Sequence, residues 1–365
     1  MRLAWRELRR QPGRFAVAGS ALTLLVVLVL LLGGLLDGLF LGSTGAIRSQ
    51  RADVFVYSAS AGDSFLRSRI EPDVRRAIED VDGVATTGGI GLALLGAHVA
   101  GIEEVVDVAV AGYELPPDGV PAPPPAGQGW ADRRLADAGV EEGDVLEIGP
   151  ARTPVEVAGF VSDTSYLLQG AVWVEPATWR AIQSASRPDA TVADDVFQVL
   201  VVEAEADVAA EDLVARIDDA TDGATSSLTK DEAVLSLPGT QQQNAVFTAL
   251  IGVTLFVAGL VAALFFALLT LERTPLYAML KAVGAPSRRL VAGVVLQAVV
   301  VAAAAVVLGG AIAVGLAEVI PDEIPVQLEP SRVVTGALLV IATGALGGLV
   351  SLRRIVRVDP ATAIS

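Results

Sequence analysis

Four stretches of the chain, residues 15–36, 245–271, 290–317 and 333–352, contain no Asp, Glu, Lys or Arg and run for 22, 27, 28 and 20 residues. A helix rises about 1.5 Å per residue and a bilayer's hydrocarbon core is about 30 Å thick, so each stretch is long enough to span as a helix. The block between the first and second stretches has a different pattern. Residues 52–57 (ADVFVY) and 105–113 alternate like strands, and residues 71–80 read as a short helix opened by Glu-Pro. A proline-rich run, PPDGVPAPPPAG at 116–127, breaks the pattern, because proline removes ladder donors. Short strands follow at 144–148, 155–161 and 171–174, then a strand at 197–203 and a helix at 208–219. Residues 42–244 thus read as a mixed α/β unit with a β-rich insertion at about 126–190. The uncharged but polar SLPGTQQQN, 236–244, reads as a stalk above the second span.

Two short segments are amphipathic. At the N-terminus, MRLAWRELRRQP sets Arg2, Arg6, Arg9 and Arg10 against Leu3, Trp5 and Leu8, an interfacial helix over 1–14 that either anchors in the headgroups or docks on a partner. Between the second and third spans stands LERTPLYAMLKAVGAPSRRL, 271–290. Thr274 suits an N-cap with Pro275 at the first helical position, Gly284 and Pro286 stop the helix, and Ser287 is placed to cap the next. Leu276, Met279, Leu280 and Val283 fall at i, i+3, i+4 and i+7 on one apolar face. That face either rests on lipid or fits a groove on a partner protein.

Charge orients the spans. Arg2, Arg6, Arg9, Arg10 and Arg14 precede the first, Arg273, Lys281, Arg288 and Arg289 lie between the second and third, and Arg353, Arg354 and Arg357 follow the fourth. The connection after the third carries Glu318, Asp322, Glu323 and Glu329 against Arg332, and residues 42–244 hold 34 acids and 13 bases. By the positive-inside rule both termini and the 272–289 loop are cytoplasmic, while 42–244 and 318–332 face outward. The first apolar stretch exceeds the 7–15 residues of a signal h-region and reads as an uncleaved anchor.

The expected fold is an integral membrane α-helical protein of four transmembrane helices (15–41, 245–271, 290–317, 333–352) with a large extracytoplasmic mixed α/β domain inserted between helices 1 and 2. A cytoplasmic tail, 353–365, closes the chain.

Composition removes several chemistries. The chain has 365 residues, no Cys, one His, two Lys and a formal net charge of −16. Disulfides, thiolate catalysis and Cys-ligated zinc are excluded, one histidine cannot build a His-rich metal site, and the acidic balance argues against nucleic acid. A P-loop needs a lysine between Gly and Ser or Thr. Lys230 stands between Thr229 and Asp231, and Lys281 between Leu280 and Ala282, so this chain does not bind ATP in that manner and its energy comes from a partner or from a gradient. His98, in LLGAHVAG, reads as a strand or turn residue rather than a base, and no catalytic residue or metal site is assigned. Asp37 lies at the outer end of the first span, where it either faces water or touches substrate; a carboxylate at mid-membrane would cost about 2.5–3.5 kcal/mol. Gly34 and Gly38, and Gly344 and Gly348, have the GxxxG spacing that lets helices approach closely.

At the 271–290 loop and at RRIVRVDPATAI, 353–364, the chain resembles permease subunits of MacB/FtsX-type ABC transporters, including the four-helix DevC/HrtB-like permeases. GQGWADRRLADAGVEEGDVLEIG, 127–149, and the following VEVAGFVSDTS resemble the outer domain of that family, and the layout of one span, a large outer domain and three spans is also similar. Where many relatives have an acid shortly after the Glu-Arg pair, this chain has Leu276 and Tyr277. The resemblance implies a non-enzymatic subunit of the plasma membrane, a homodimer with two copies of a separate ATP-binding subunit that carries ATP and Mg. It implies coupling to that ATPase through Glu272, Arg273, Leu276, Tyr277, Met279, Leu280, Lys281 and Val283. The function implied is ATP-driven export of a hydrophobic or amphipathic substrate. The alternative is an FtsX-like subunit that signals to an envelope enzyme without transport. This chain needs no cofactor; haem enters only as a candidate substrate, since some relatives look like haem-export permeases in which a carboxylate at the depth of Asp37 would meet iron.

Overall fold

A computed structural model describes residues 12–188, 191–237, 239–272, 275, 279, 283, 286–321 and 324–351. They form two compact units, one made of the chain up to Gly38 and from Gln243 on, the other of Leu39–Gln242.

The first unit is helical. Helix α1 (Pro12–Arg48) enters it with its first 27 residues, and the remaining long helices are labelled α7 (Thr240–Glu272), α8 (Ser287–Ala317) and α9 (Pro330–Ser351) in chain order. Among the described residues three helices, Gly19–Arg48, Ala245–Glu272 and Leu290–Ala317, are long and apolar enough to cross a membrane, and Pro330–Leu346 is a shorter apolar helix. Leu22, Val26, Leu30, Phe266, Val301 and Val340 are buried together between them. Small residues set the closest approaches. A Cβ on Gly309 would stand 2.7 Å from Val26 Cγ1, one on Gly259 2.7 Å from Thr343 Cγ2, and one on Gly344 3.1 Å from the Cβ of Ala302. Helix α8 starts at Ser287 with Pro286 in the N-cap position, one residue before the expected cap.

The second unit is built on one sheet of nine strands: β1 (Val54–Ser58), β2 (Val84–Val99), β3 (Val106–Tyr113), β4 (Gln128–Asp132), β5 (Val145–Ile148), β6 (Thr153–Val161), β7 (Gly170–Val174), β8 (Val199–Ala204) and β9 (Thr225–Thr229). The order is β3-β7-β4-β6-β5-β2-β8-β1-β9, and β2 also pairs with β3, so β2, β3, β7, β4, β6 and β5 close into a ring. The long β2 belongs to both parts. Its residues 84–90 pair with β8, while residues 90–97 pair with β3 and residues 97–99 with β5. Residues 126–190 supply β4 to β7, which reach closure only through β2 and β3.

Helices α2 (Pro72–Glu79), α3 (Arg133–Asp137), α4 (Pro176–Ser186), α5 (Ala210–Ala220) and α6 (Lys230–Ser236) flank the sheet. Strand β1 shows why both sheet faces are apolar. Phe55 and Tyr57 join a core with Trp173 and Tyr113, whereas Val54 and Val56 pack with Ile78 of α2 and Leu213 and Ile217 of α5. Helix α6 opens with a capping box, the Thr229 hydroxyl accepting from Glu232 N–H and the Glu232 carboxylate accepting from Thr229 N–H. The last turns of α1 are held by a loop of this unit: Leu167 and Leu168 donate N–H groups to the carbonyls of Ser43 and Gly42, and Ala46 N–H donates to Ser165. A Cβ on Gly45 would stand 2.7 Å from the Asp163 carbonyl oxygen, so that grip needs a bare backbone.

Candidate functional site

The residues that could carry function in the helical unit converge at the C-terminal end of its α1 portion. Successive turns there present Gly34 and Gly38 on one side, and the connection between α8 and α9 lies along it. Gln327 donates its backbone N–H to the Gly34 carbonyl at 2.9 Å. A Cβ on Gly34 would come 2.9 Å from Leu328 Cδ2, and one on Gly38 within 1.6 Å of the Pro325 carbonyl oxygen. The pattern at 34 and 38 thus admits an extended segment of the chain's own, where the sequence suggested a second helix. Gly344 does pack against a helix, at Ala302 of α8; Gly348 lies in α9.

Asp37, between those glycines, is nearly buried, its side chain 6% exposed. Its Oδ1 lies 2.6 Å from Arg332 Nε in an ion pair, while Oδ2 is buried with no hydrogen-bond partner among the described residues. Arg332 stands in the first turn of α9 and keeps 53% of its side chain exposed. Beside the pair is a cavity of about 350 Å³ lined by Val29, Leu30, Gly33, Asp37, Glu329 and Leu339, among others. An apolar pocket with a few convergent polar groups is the form small-molecule sites take. Sequence reasoning singled out Asp37 but missed Arg332 and Glu329 as its neighbours. The signal available was the lone base of an otherwise acidic connection, at the same end of the spans as the lone acid.

Of the residues expected to meet an ATPase, Glu272 closes α7, and Met279 and Val283 are 63% and 83% exposed, with Val283 N–H donating to the Met279 carbonyl as in a helical turn. Arg273, Leu276, Tyr277, Leu280 and Lys281 lie outside the described residues, as do Thr274, the N-terminal segment 1–11 and the tail from 352 on.

The inserted domain has one prominent ionic cluster. Arg75 Nε lies 2.8 Å from Glu79 Oε1 and Arg75 Nη1 2.9 Å from Glu114 Oε2, which also accepts from Gly89 N–H. The hydrogen bond from Arg75 holds the Glu79 carboxyl below its usual range against partial burial, with Thr87 assisting. Burial works against the charged Arg75, yet its two carboxylate partners raise its pKa above the ordinary value. These groups join α2 to the sheet and are fully used in doing so. His98 is a β2 residue opposite Glu147 of β5, and no group of three or more metal-ligating side chains occurs among the described residues.

Residues 248–360 match the family of FtsX-like permease C-terminal domains. Over nearly its whole length the chain is similar to an uncharacterized ABC transporter permease of Mycobacterium tuberculosis, with 26% identity over 371 residues, 99% of this chain and 98% of that protein. It is 20% identical over 374 residues to a putative hemin transport system permease protein HrtB of Staphylococcus epidermidis, covering 100% of this chain and 99% of that one. Among solved structures, the periplasmic region of MacB from Actinobacillus actinomycetemcomitans aligns with 51% of this chain and 92% of its own, at 10% identity and a TM-score of 0.36.

Proposed function

We propose, for a chain that is an FtsX-like ABC transporter permease, that it is the membrane subunit of an ATP-driven exporter that moves a hydrophobic or amphipathic molecule out of the bilayer. Two copies pair, and each engages a separate ATP-binding subunit, which holds ATP and Mg. Four helices span the plasma membrane, with the termini and residues 272–289 in the cytoplasm and the inserted domain outside. Coupling to the ATPase runs through the 272–289 loop, by way of Glu272, Arg273, Leu276, Tyr277, Met279, Leu280, Lys281 and Val283.

The observation that carries export over pure signalling is the cavity at the Asp37 end of the span. A relay needs rigid helices, whereas an apolar cavity with a buried carboxylate is suited to receiving a molecule from the outer half of the membrane. ATP-driven motion of the partner tilts the spans, and the Pro325–Leu328 segment, held on α1 by one backbone hydrogen bond and the Asp37–Arg332 pair, moves with them.

The test is co-purification of the partner ATPase and its hydrolysis rate for wild type and Leu280→Asp. A charge in an apolar groove costs several kcal/mol, so the variant should lose the partner or its coupling at least tenfold, while membrane insertion survives. Unchanged assembly and coupling would reject docking through this loop.

A further inference from the structure

We propose that the cavity beside Asp37 binds an amphiphile carrying a protonated amine on an apolar body. This rests on reading the cavity as the substrate site and adds the chemistry of its ligand. Of the residues that line the cavity, Asp37 carries a buried atom with no partner among the described residues, and that atom is an acceptor: Oδ2, on a side chain 6% exposed. A buried acceptor left unmet is costly, and a charged donor meets it best. Among the described residues the cation lining the cavity is Arg332, which lies on Oδ1 and is 53% exposed, so an arriving ammonium can take its place while the guanidinium turns to water. Glu329 lines the same cavity, which leaves two carboxylates to one cation.

The other walls are apolar, including Val29, Leu30 and Leu339. A Cβ on Gly33, which also lines the cavity, would meet nothing within 4 Å, so the floor there is open. The cavity, about 350 Å³, lies at the lower end of the range of small-molecule sites and suits a single short chain. The ammonium then donates to Asp37 in place of Arg332, and the apolar body lies along Val29, Leu30 and Leu339. An anionic amphiphile, haem with its two propionates among them, would bring further negative charge against Asp37 and Glu329. A neutral one would leave the excess negative charge of the cavity uncompensated.

The probes are dodecylammonium chloride, sodium dodecanoate and dodecanol, titrated at neutral pH into the purified full-length chain in lipid nanodiscs, with binding followed by calorimetry. Dodecylammonium should bind saturably, at least tenfold more weakly to Asp37→Asn and about threefold more weakly to Glu329→Gln, as suits a partly screened charge at the rim. Dodecanoate and dodecanol should show no saturable binding. Dodecanoate binding tighter than the amine, or amine binding indifferent to both substitutions, would overturn the proposal. If Asp37→Asn does not fold, Glu329→Gln, at an exposed residue, decides alone. Intact coupling to the ATPase without amine-selective binding defeats the ligand class only. Amine binding without coupling supports the ligand class and defeats the exporter reading.

Discussion

The carbonyl oxygen of Pro325 lies so close over Gly38 that a Cβ placed there would stand 1.6 Å from it. No rotamer change relieves a clash between two backbones, so the connection between α8 and α9 must move if residue 38 gains a side chain. At Gly34 the nearest atom is the end of the Leu328 side chain, at 2.9 Å, which can turn aside. At Gly33 nothing lies within 4 Å. Stability should therefore fall in the order Gly38→Ala, Gly34→Ala, Gly33→Ala. The first should cost more than the roughly 1–3 kcal/mol typical of overpacking and the last almost nothing, as read by thermal unfolding of the purified chain. Equal effects at 34 and 38 would contradict the seating of the connection.

This contact marks where the sequence was legible and where it was not. The long apolar runs announce helices because their residues have no other way to satisfy a backbone in lipid. Strands β1, β3 and β5 to β8 were visible from alternation and turn residues. The longest strand, β2, was not. It carries Gly88, Gly89, Gly91 and Gly96, residues that weaken a strand pattern; a Cβ on Gly89 would stand 2.2 Å from Phe197 and one on Gly91 2.1 Å from Trp179, so these two glycines make room for buried rings. Likewise charge places the connection at 318–332 on the outer side but says nothing of docking, which its apolar Ile324-Pro325-Val326-Gln327-Leu328 stretch alone could have suggested. The Asp37–Arg332 pair joins distant parts of the chain, and no local pattern reports such a contact.

Arg332→Gln should lower stability by about 1–3 kcal/mol, because it removes the ionic partner that the buried Asp37 carboxylate has among the described residues. Asp37→Asn in the same background should recover much of the loss, the charge having gone with its partner. A double-mutant cycle on thermal unfolding checks this. Strictly additive losses would show that the pair is not coupled.

Trp179 is fully buried, stacks on Phe197 with ring centroids 6.2 Å apart, and fills the space left by Gly91 and Gly112. Trp179→Ala should cost about 3–5 kcal/mol and increase amide exchange in β2 and β3, while the membrane helices keep their protection. Exchange mass spectrometry resolves the two regions. Uniform loss across the chain would contradict separate units.

Acid should loosen α2 from the sheet. Arg75 lowers the Glu79 pKa in the folded protein, so the stabilisation is fully present above the unfolded value of about 4.5 and is lost as pH falls through the lower folded value. In Arg75→Gln the largest cause of the lowering is gone, and local opening of 72–79 should become less dependent on pH below about 4.5. Amide exchange of α2 between pH 3 and 6 checks the sign. Protection in the wild type that grows as the pH drops would contradict it.

The chain has no cysteine, so an introduced pair reports cleanly on whether the cavity takes part in the ATP cycle. Gly34→Cys with Leu328→Cys ties the connection to α1 under oxidation, and the readout is the ATPase rate of the reconstituted complex before and after reduction. If ATP-driven motion of the permease reaches the cavity, the crosslinked complex should hydrolyse ATP at least fivefold more slowly and recover on reduction. Full-rate hydrolysis with the crosslink complete would mean that the connection stays on α1 throughout the cycle, contradicting export through this site.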